Sequence, residues 1–376
     1  MRKQPYIIII GGGLAGLTAA IHLSKRGLRV ILIEKNSFPK HKVCGEYISN
    51  EVLTYFDWLE ININELNPSH LNKFQFSSQN GKIVNSLLPL GGIGISRYAL
   101  DNFLQKKALE NGCEIIHDSV EDIVFSENQF TVTTLGNKSF NSEIVIGAHG
   151  KRSNVDQKLN RDFISKKTPW LAVKSHYSGD FPDDLVGLYH FKGGYCGVSK
   201  VEDNKINICY LADYKTFKQY KNIEEYQNNV LSKNPQLKAI FDYCKPLFEK
   251  PLTISQISFG KKKTVENHVL MIGDTAGLIH PLSGNGMAMA VHSAKIVSGL
   301  IEDYLNGVIK TRKKLERKYH RQWKKLFYKR LIMGRMLSSV LAKEKLSYLL
   351  MSIVVKIPFL LQFIIKNTHG NPIKIS

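Results

Sequence analysis

Short apolar runs alternate with amphipathic stretches at the start of the chain and again far downstream. Residues 6–10 have the length and composition of a buried parallel strand, and residues 14–26 place their large apolar side chains on one helix face. A second buried strand is predicted over 29–33, and residues 268–272 repeat the buried-strand pattern. The sequence therefore predicts a Rossmann-like α/β unit whose last strand returns from a distant part of the chain.

The middle of the chain carries a different pattern, with short strands in which polar and apolar residues alternate. Asn80-Gly81 predicts a hairpin turn between apolar positions 74–76 and 83–84. A helix is predicted over 98–111. Further strands are predicted around 114–117, 122–125, 130–135, 142–146, 172–177, 186–191, 194–199 and 205–211. The segments from 172 onward predict a second, mostly antiparallel sheet, followed by a polar helix over 223–231.

A glycine-rich turn follows the first predicted strand and precedes the first predicted helix. This strand, turn and helix are the context that a dinucleotide-binding motif requires. Gly11 lets the chain turn, Gly13 lets the backbone approach a pyrophosphate, and Gly16 allows close helix packing. Glu34 closes the second strand as an acceptor for ribose hydroxyls. The predicted nucleotide contacts are those of Gly11, Gly13, Leu14, Ala15, Gly16, Glu34 and Lys35.

A second glycine signature, Gly273-Asp274-Thr275-Ala276-Gly277, follows the downstream strand. Each signature alone is weak evidence, whereas the pair at this spacing indicates bound FAD. Beyond it, residues 280–286 read His-Pro-Leu-Ser-Gly-Asn-Gly before a helix predicted over 287–300. Glycines there would expose amides at a helix N-terminus, which stabilises negative charge.

These elements predict an α/β fold with two interleaved domains and a helical end. A Rossmann-like FAD-binding domain is assigned to 1–73, 96–170 and 261–305. A mostly antiparallel β-sheet substrate domain is assigned to 74–95 and 171–260. The remainder, 306–376, is expected to form C-terminal helices that are basic and then apolar.

Charge is concentrated near the C-terminus. The chain has 52 Lys and Arg against 32 Asp and Glu, and residues 310–345 contain fourteen of these cations but only Glu316 and Glu344 as acids. The apolar stretch 346–365 follows, and Lys356 with Pro358 divides it into parts shorter than the ~20 residues of a spanning helix. Two interpretations remain open: peripheral contact with an anionic membrane, or a helical layer packed on the enzyme with solvated lysines. No nucleic-acid motif accompanies the charge, so we expect no nucleic-acid partner.

The number and spacing of the cysteines, together with the N-terminal sequence, indicate the cellular compartment of the protein. Five cysteines, odd in number and without a CxxC pair, predict neither a disulfide framework nor a zinc site, and we expect no metal. The N-terminal apolar run stops after five residues at glycines, unlike a signal peptide. We therefore expect a cytoplasmic protein, at the inner face of the membrane if it is peripheral.

The layout of residues 6–301 resembles the flavoprotein class that includes para-hydroxybenzoate hydroxylase, geranylgeranyl reductases and flavin-dependent halogenases. The resemblance implies FAD, with Asp274 at its ribityl chain or phosphate region beside Gly273. Arg97 matches the arginine at the start of a helix that approaches the flavin or its phosphates. The turn beneath the flavin ring corresponds to Pro281, Gly284, Asn285 and Gly286.

Within this class, three details favour the geranylgeranyl-reductase branch. One is Thr275-Ala276-Gly277, where the hydroxylases usually place Ala-Ala-His after Gly-Asp. Residues 42–49 resemble the Cys-Gly-rich segment of these reductases, which implies that Cys44 and Gly45 lie near the flavin. Residues 193–195 begin like their substrate-cavity motif, Gly-Gly-Tyr-x-Trp-x-Phe-Pro, but the later positions do not match. His149 stands where the hydroxylases have an aspartate, so nicotinamide contacts are not transferred to this loop.

Cys44 and His280 are the candidates for chemistry. Cys44 could donate a proton or only form a small apolar wall. His280 could transfer protons near neutrality or be a positional residue before proline. We expect a hydrophobic substrate, lipid, isoprenoid or polyketide-like, whose carbon-carbon double bond is reduced with electrons from NAD(P)H or another donor. The alternatives are monooxygenation of an aromatic or lipid-like substrate and a non-catalytic, membrane-surface protein that binds flavin.

Overall fold

The computed structural model describes residues 6–165, 168–280, 284–341 and 356–375, together with 343, 346, 349, 350 and 353. Two sheets contain its strands. In chain order the strands are β1 (Tyr6–Ile10), β2 (Val30–Glu34), β3 (Tyr47–Ser49), β4 (Ser69–Ser77), β5 (Ile83–Gly94), β6 (Glu114–His117), β7 (Val120–Ser126), β8 (Gln129–Thr134), β9 (Ser139–Gly147), β10 (Trp170–Ser178), β11 (Leu185–Phe191), β12 (Gly194–Lys200), β13 (Ile206–Asp213), β14 (Lys245–Pro246), β15 (Leu252–Ser255), β16 (Val265–Glu266) and β17 (Val269–Met271).

Helices cover the faces of both sheets and form the end of the chain. They are α1 (Leu14–Lys25), α2 (Leu53–Trp58), α3 (Arg97–Glu110), α4 (Asn154–Lys158), α5 (Tyr214–Phe217), α6 (Ile223–Asn229), α7 (Pro235–Tyr243), α8 (Gly286–Leu305), α9 (Arg312–Leu341) and α10 (Pro358–Thr368). Helix α8 continues five residues beyond the predicted end at 300, because Leu300 and Ile301 still pack into the core.

The first sheet has the parallel order β17-β9-β1-β2-β6, with β16 antiparallel at one edge. β1 and β2 are continuous apolar runs because both faces of a parallel sheet are covered by helices. β7 and β8 extend β9 as an antiparallel meander. This arrangement confirms the predicted Rossmann-like unit, including the late return of the chain through β17.

The second sheet has the order β14-β10-β13-β12-β11-β4-β5-β3, with β15 beside β10. Its pairings are antiparallel except for that of β11 with β4, which confirms the predicted, mostly antiparallel sheet. Side chains alternate across β12: Cys196 and Val198 pack into one apolar cluster with α6 and α7, while Tyr195 packs on the opposite face. That opposite face meets the first domain.

The boundary drawn at residue 73 cuts through a strand. β4 is continuous from Ser69 to Ser77, and its first residues pair with β5 in the second sheet. β3 also joins this sheet, whereas the sequence predicts residues 47–49 to belong to the FAD-binding domain. The polar residues His70 and Asn72 conceal the strand in the sequence.

The basic helix α9 packs on the first domain through one apolar stripe. Leu315, Tyr319, Trp323 and Phe327 recur every four residues, are buried and join the main core. The Tyr319 hydroxyl donates a hydrogen bond to the carbonyl of Met271. Arg317, Arg321, Lys324 and Lys325, which lie between these positions, are exposed. Among the described helices, none combines the length and apolar composition needed to cross a bilayer.

Candidate functional site

The first glycine turn is packed too closely to accept side chains at two positions. Gly11 has φ +108°, and a Cβ there would lie 2.4 Å from the carbonyl oxygen of Ala148. A Cβ on Gly16 would lie 2.0 Å from the carbonyl oxygen of Gly11. The turn therefore brings α1 directly against β1 and the end of β9.

Gly13, in contrast, faces open space at the start of α1. A Cβ there would meet only the Arg97 Nη2 atom, at 3.6 Å. Gly13 caps α1 without a side-chain hydrogen bond, and the first helical turn, which begins with buried Leu14 and Ala15, contains no acid. Unclaimed amides beside a guanidinium form a site suited to an anion.

Glu34 is buried at the end of β2 and already holds the turn. Its Oε2 accepts a hydrogen bond from the Gly12 amide at 2.7 Å. Its Oε1 accepts from the backbone and side-chain amides of Asn36, at 2.9 and 2.8 Å. Lys35 is exposed beside it. Asn36 was missed from the sequence because nothing in its spacing marks it. The ribose contact of Glu34 stays a prediction.

Arg97 is fixed by a buried carboxylate one turn further along α3. Its Nε and Nη2 donate to Asp101 at 2.8 and 2.7 Å, and Lys42 donates to the same carboxylate at 2.7 Å. Burial would raise the pKa of Asp101, but Arg97 and Lys42 hold it below its usual range. Two cations on one carboxylate leave a net positive charge near Gly13. The Arg97–Asp101 spacing, i to i+4, was the available sequence signal.

The second glycine signature lies against the first. Gly273 has φ +59°, and a Cβ on it would lie 2.9 Å from the Ala15 Cβ. Its amide donates to Ser293 Oγ of α8 at 2.8 Å. The carbonyl of Asp274 accepts from the Lys262 ammonium at 2.8 Å, and burial lowers the pKa of Lys262 to about 8. The structure thus brings the two signatures together at the start of α1.

The start of α8 lies beside the same region. Gly284 has φ +61°, and its Cβ position is 3.7 Å from the Tyr47 ring. Asn285 is buried, and its Nδ2 donates to the carbonyl of Thr368 at the end of α10 at 3.2 Å. Gly286 begins the helix. Pro281, predicted for the same turn, lies outside the described residues.

An apolar cavity of about 200 Å³ lies against the second sheet, beside Gly284. Cys44 and Gly45 line one wall, where the backbone is held by Lys151 Nζ donating to the Val43 carbonyl at 3.1 Å. The second sheet provides another wall and α10 a third. Representative residues of these two walls are Ala172, Tyr195, Gly197, Cys209, Leu211, Leu361, Ile365 and His369.

A fully buried ion pair lies behind the Cys44 wall. Glu46, with φ +53°, accepts from Lys174 Nζ at 3.0 Å, from His176 Nε2 at 2.6 Å and from the Arg97 amide at 2.9 Å. Burial would raise the pKa of Glu46, but His176 and Lys174 hold it below its usual range. No sequence pattern indicated this network, because Glu46 lies more than a hundred residues from Lys174 and His176 along the chain.

His280 lies in an aromatic setting directly behind a residue that lines the cavity, but does not itself line it. Its ring centroid is 6.0 Å from Trp170, 5.7 Å from Tyr195 and 4.6 Å from Phe259. Neither ring nitrogen has a hydrogen-bond partner among the described residues. Burial lowers the pKa of His280 to about 4, so the imidazole is neutral near pH 7. Its catalytic role stays a prediction that this geometry does not favour.

Comparison with known proteins decides the family. A family model described as FAD binding domain matches residues 5–324, from the first strand through most of α9. The chain belongs to the FAD binding domain family. The expected cofactor, FAD, is therefore confirmed, as is the predicted flavoprotein class.

Several relatives are named as reductases. Digeranylgeranylglycerophospholipid reductase of Methanosarcina acetivorans is 25% identical over 336 residues, 85% of this chain and 80% of that protein. Digeranylgeranylglycerophospholipid reductase 2 of Methanothermobacter thermautotrophicus is 23% identical over 371 residues, 92% and 91% of the two chains. Among solved structures, the flavin-dependent brominase Bmp2 superposes with a TM-score of 0.78 at 17% identity, covering 96% and 92%. The protein is an FAD-dependent oxidoreductase or monooxygenase.

The residues of the two glycine signatures fit FAD. The open position at Gly13, the uncapped amides of α1 and the Arg97 guanidinium suit its pyrophosphate. Gly284 and Cys44 share the cavity, so a flavin ring placed at the start of α8 would border it. When bound, FAD supplies the two-electron redox chemistry. Cys44, Gly45 and Gly284 to Gly286 are then the residues expected around its ring.

His149 has a structural partner in the family fold. Its Nε2 lies 3.0 Å from Asp156 Oδ1, and Arg161 donates to the same oxygen at 2.8 Å. The neighbouring Gly150 amide donates to Thr275 Oγ1 at 2.8 Å, which ties this loop to the second signature. His149 thus ties the loop after β9 to Asp156 of α4.

Proposed function

We propose that this enzyme reduces a carbon-carbon double bond of a hydrophobic lipid or isoprenoid-like substrate bound in the cavity, with NAD(P)H or another donor supplying electrons to FAD. The observation that carries the proposal is the apolar cavity itself. It lies between the Cys44 wall, Gly284 and the second sheet. A substrate there needs neither charge nor many hydrogen-bonding groups.

The residues around the cavity favour reduction. Saturating a double bond requires a hydride equivalent, delivered through FAD, and one proton. Cys44 lines the cavity wall. Its backbone carbonyl accepts a hydrogen bond from Asn207 Nδ2 at 3.3 Å, and its Sγ accepts one from the Glu46 amide at 3.4 Å. We assign the proton to this thiol. The Cys209 thiol lines the same cavity, but burial raises its pKa to about 12. The names of the two archaeal relatives, which denote lipid reductases, support the same choice.

A second candidate function is monooxygenation of an aromatic or lipid-like substrate. The fold similarity to the flavin-dependent brominase favours it, because that name denotes a flavin-dependent reaction other than reduction of a double bond. The departure of Gly197 and Ser199 from the reductase cavity motif favours it as well. The two reactions differ in product composition: reduction adds two hydrogens, whereas monooxygenation adds an oxygen atom and consumes oxygen.

Filling the cavity from β12 is expected to block substrate and spare the cofactor. Gly197 lines the cavity, and a Cβ on it would meet only the Cys209 carbonyl oxygen, at 3.7 Å. A Gly197→Phe variant should therefore fold, retain FAD and lose roughly a hundredfold in kcat/KM for a long-chain substrate. Steady-state kinetics and flavin absorbance measure the two effects.

Gly197→Ala is the matched control, because one methyl group removes little of the cavity volume. Its kcat/KM should stay within about a few fold of the parent value. Unchanged kinetics in Gly197→Phe, at full flavin content, would show that the substrate binds elsewhere.

A further inference from the structure

Helix α10 is apolar on two opposite sides. Leu361 and Ile365 are buried against Leu71, Val84 and Leu88 of the second sheet, and Leu361 and Ile365 also line the cavity. On the outer side, Phe359 is 72% exposed and Phe363 is 49% exposed. Helix α10 therefore separates the cavity, which its inner side lines, from the surface on its outer side.

The exposed apolar side chains continue into the segment before α10. We name this set the C-terminal apolar face; it consists of Leu346, Leu349, Ile353, Ile357, Phe359 and Phe363. Six large apolar side chains along one stretch exceed the scattered exposure usual for a soluble surface. Such a face needs a partner.

Charge identifies the chemistry of that partner. Lys343, Lys356 and Lys366 are exposed around the C-terminal apolar face, and the sequence has no acid after Glu344. Helix α9, which contacts α10, adds exposed cations, among them Lys324, Lys325 and Lys329. Exposed apolar side chains beside several exposed cations match the boundary between the head groups and acyl chains of an anionic bilayer.

We propose that the C-terminal apolar face docks on an anionic lipid bilayer, and that substrate passes from the bilayer into the cavity alongside α10. The proposal rests on the function proposed above for the direction of substrate entry, but the docking step does not depend on the reaction. A lipid substrate then never has to cross water, because the outer side of α10 lies in the bilayer and its inner side lines the cavity.

Vesicle flotation tests the docking step. FAD-loaded protein is mixed with vesicles of phosphatidylcholine, with or without phosphatidylglycerol. The full chain should float with the vesicles that contain phosphatidylglycerol and much less with pure phosphatidylcholine. A Phe359→Ser/Phe363→Ser variant should lose roughly a hundredfold in vesicle affinity, about tenfold for each aromatic side chain. Lys356→Glu/Lys366→Glu should lose the dependence on anionic lipid.

Tyr243→Ser is the matched control, since Tyr243 is an aromatic side chain that is 80% exposed on α7 and is not part of the C-terminal apolar face. It should float like the parent protein. Flotation of Phe359→Ser/Phe363→Ser at the parent level would overturn the proposal. So would a parent dimer, measured by light scattering, that this variant converts to monomers, because the face would then join two copies of the chain.

Activity measurements on two substrate formats distinguish failure of membrane docking from failure of the proposed reaction. Phe359→Ser/Phe363→Ser should keep its flavin and its rate on a substrate dispersed in detergent, and lose rate on the same substrate embedded in vesicles. Equal losses in both formats would overturn the entry route. Vesicle binding by a protein that reduces no lipid in either format would leave docking standing and contradict the proposed reaction.

Discussion

A Gly13→Glu variant is expected to fold and to be purified without FAD. The folded chain has room for the side chain, because a Cβ at Gly13 meets only the Arg97 Nη2 atom at 3.6 Å. The backbone there is extended, with φ −85° and ψ 179°, so a non-glycine residue is not strained. The new carboxylate would occupy the pyrophosphate position and pair with Arg97. FAD loss would follow from steric and charge conflict.

Flavin absorbance per protein, together with circular dichroism, measures this outcome. Gly13→Ala is the graded control: it adds one methyl at ordinary contact distance and should weaken FAD binding without abolishing it. A Gly13→Glu protein that is normally yellow would show that the pyrophosphate does not lie at the start of α1. An unfolded variant is not expected, in contrast to a substitution of Gly16, whose Cβ would collide with the Gly11 carbonyl.

A Lys174→Met variant is expected to lower the free energy of unfolding by about 3–5 kcal/mol, because it leaves the buried Glu46 carboxylate without its main cation. Both side chains are fully buried, and the Nζ–Oε1 distance is 3.0 Å. His176 and the Arg97 amide still donate hydrogen bonds to the carboxylate in this variant, so we expect a loss of stability near the lower end of this range. Urea unfolding of the FAD-loaded protein measures the change.

Two comparisons make this prediction specific. Lys205→Met removes a cation that pairs with Asp203 at the surface, and should cost about 1 kcal/mol or less. Lys174→Met/Glu46→Gln removes both charges and should recover part of the stability lost in the single variant. A single variant as stable as the Lys205→Met protein would contradict the buried network. The same network stands behind Cys44, so its loss should also lower activity.

The repetitive parts of the fold were predictable, and the long-range polar contacts were not. β1, β2 and β17 are apolar runs whose pattern depends only on burial within a parallel sheet, so the sequence predicts them well. The start of β4 was missed because polar residues interrupt it. The meeting of Gly273 with Ala15 followed from the family layout.

The Glu46 network had no such signal. Glu46 directly precedes β3, whereas Lys174 and His176 both lie on β10, and only the tertiary pairing of the carboxylate with the ammonium and the imidazole makes burial of their charges favourable. His280 was chosen because the ordinary pKa of an imidazole suits proton transfer near neutrality; its burial among aromatic rings, which lowers that pKa to about 4, was not predicted. Spacing along the chain does not reveal the polarity of a side chain's neighbours.

The C-terminal region has features of both sequence-based interpretations, the packed helical layer and the membrane-contacting surface. α9 does pack on the enzyme through Leu315, Tyr319 and Trp323, as a solvated helical layer would. α10 packs as well, yet leaves Phe359 and Phe363 exposed. The hydrophobic pattern alone predicted amphipathic helices at the C-terminus. It did not predict which side of each helix packs against the rest of the protein. Membrane contact therefore stays a proposal, to be decided by flotation.

The most direct test of the central claim is an anaerobic half-reaction followed by product analysis. The FAD-loaded protein is reduced with NADH, NADPH or dithionite, and an isoprenoid lipid dispersed in detergent is added before any oxygen. The account predicts that oxidised-flavin absorbance returns without oxygen and that the lipid gains two hydrogens. Flavin that stays reduced until oxygen is admitted, with a product that has gained an oxygen atom, would contradict a reductase and establish a monooxygenase.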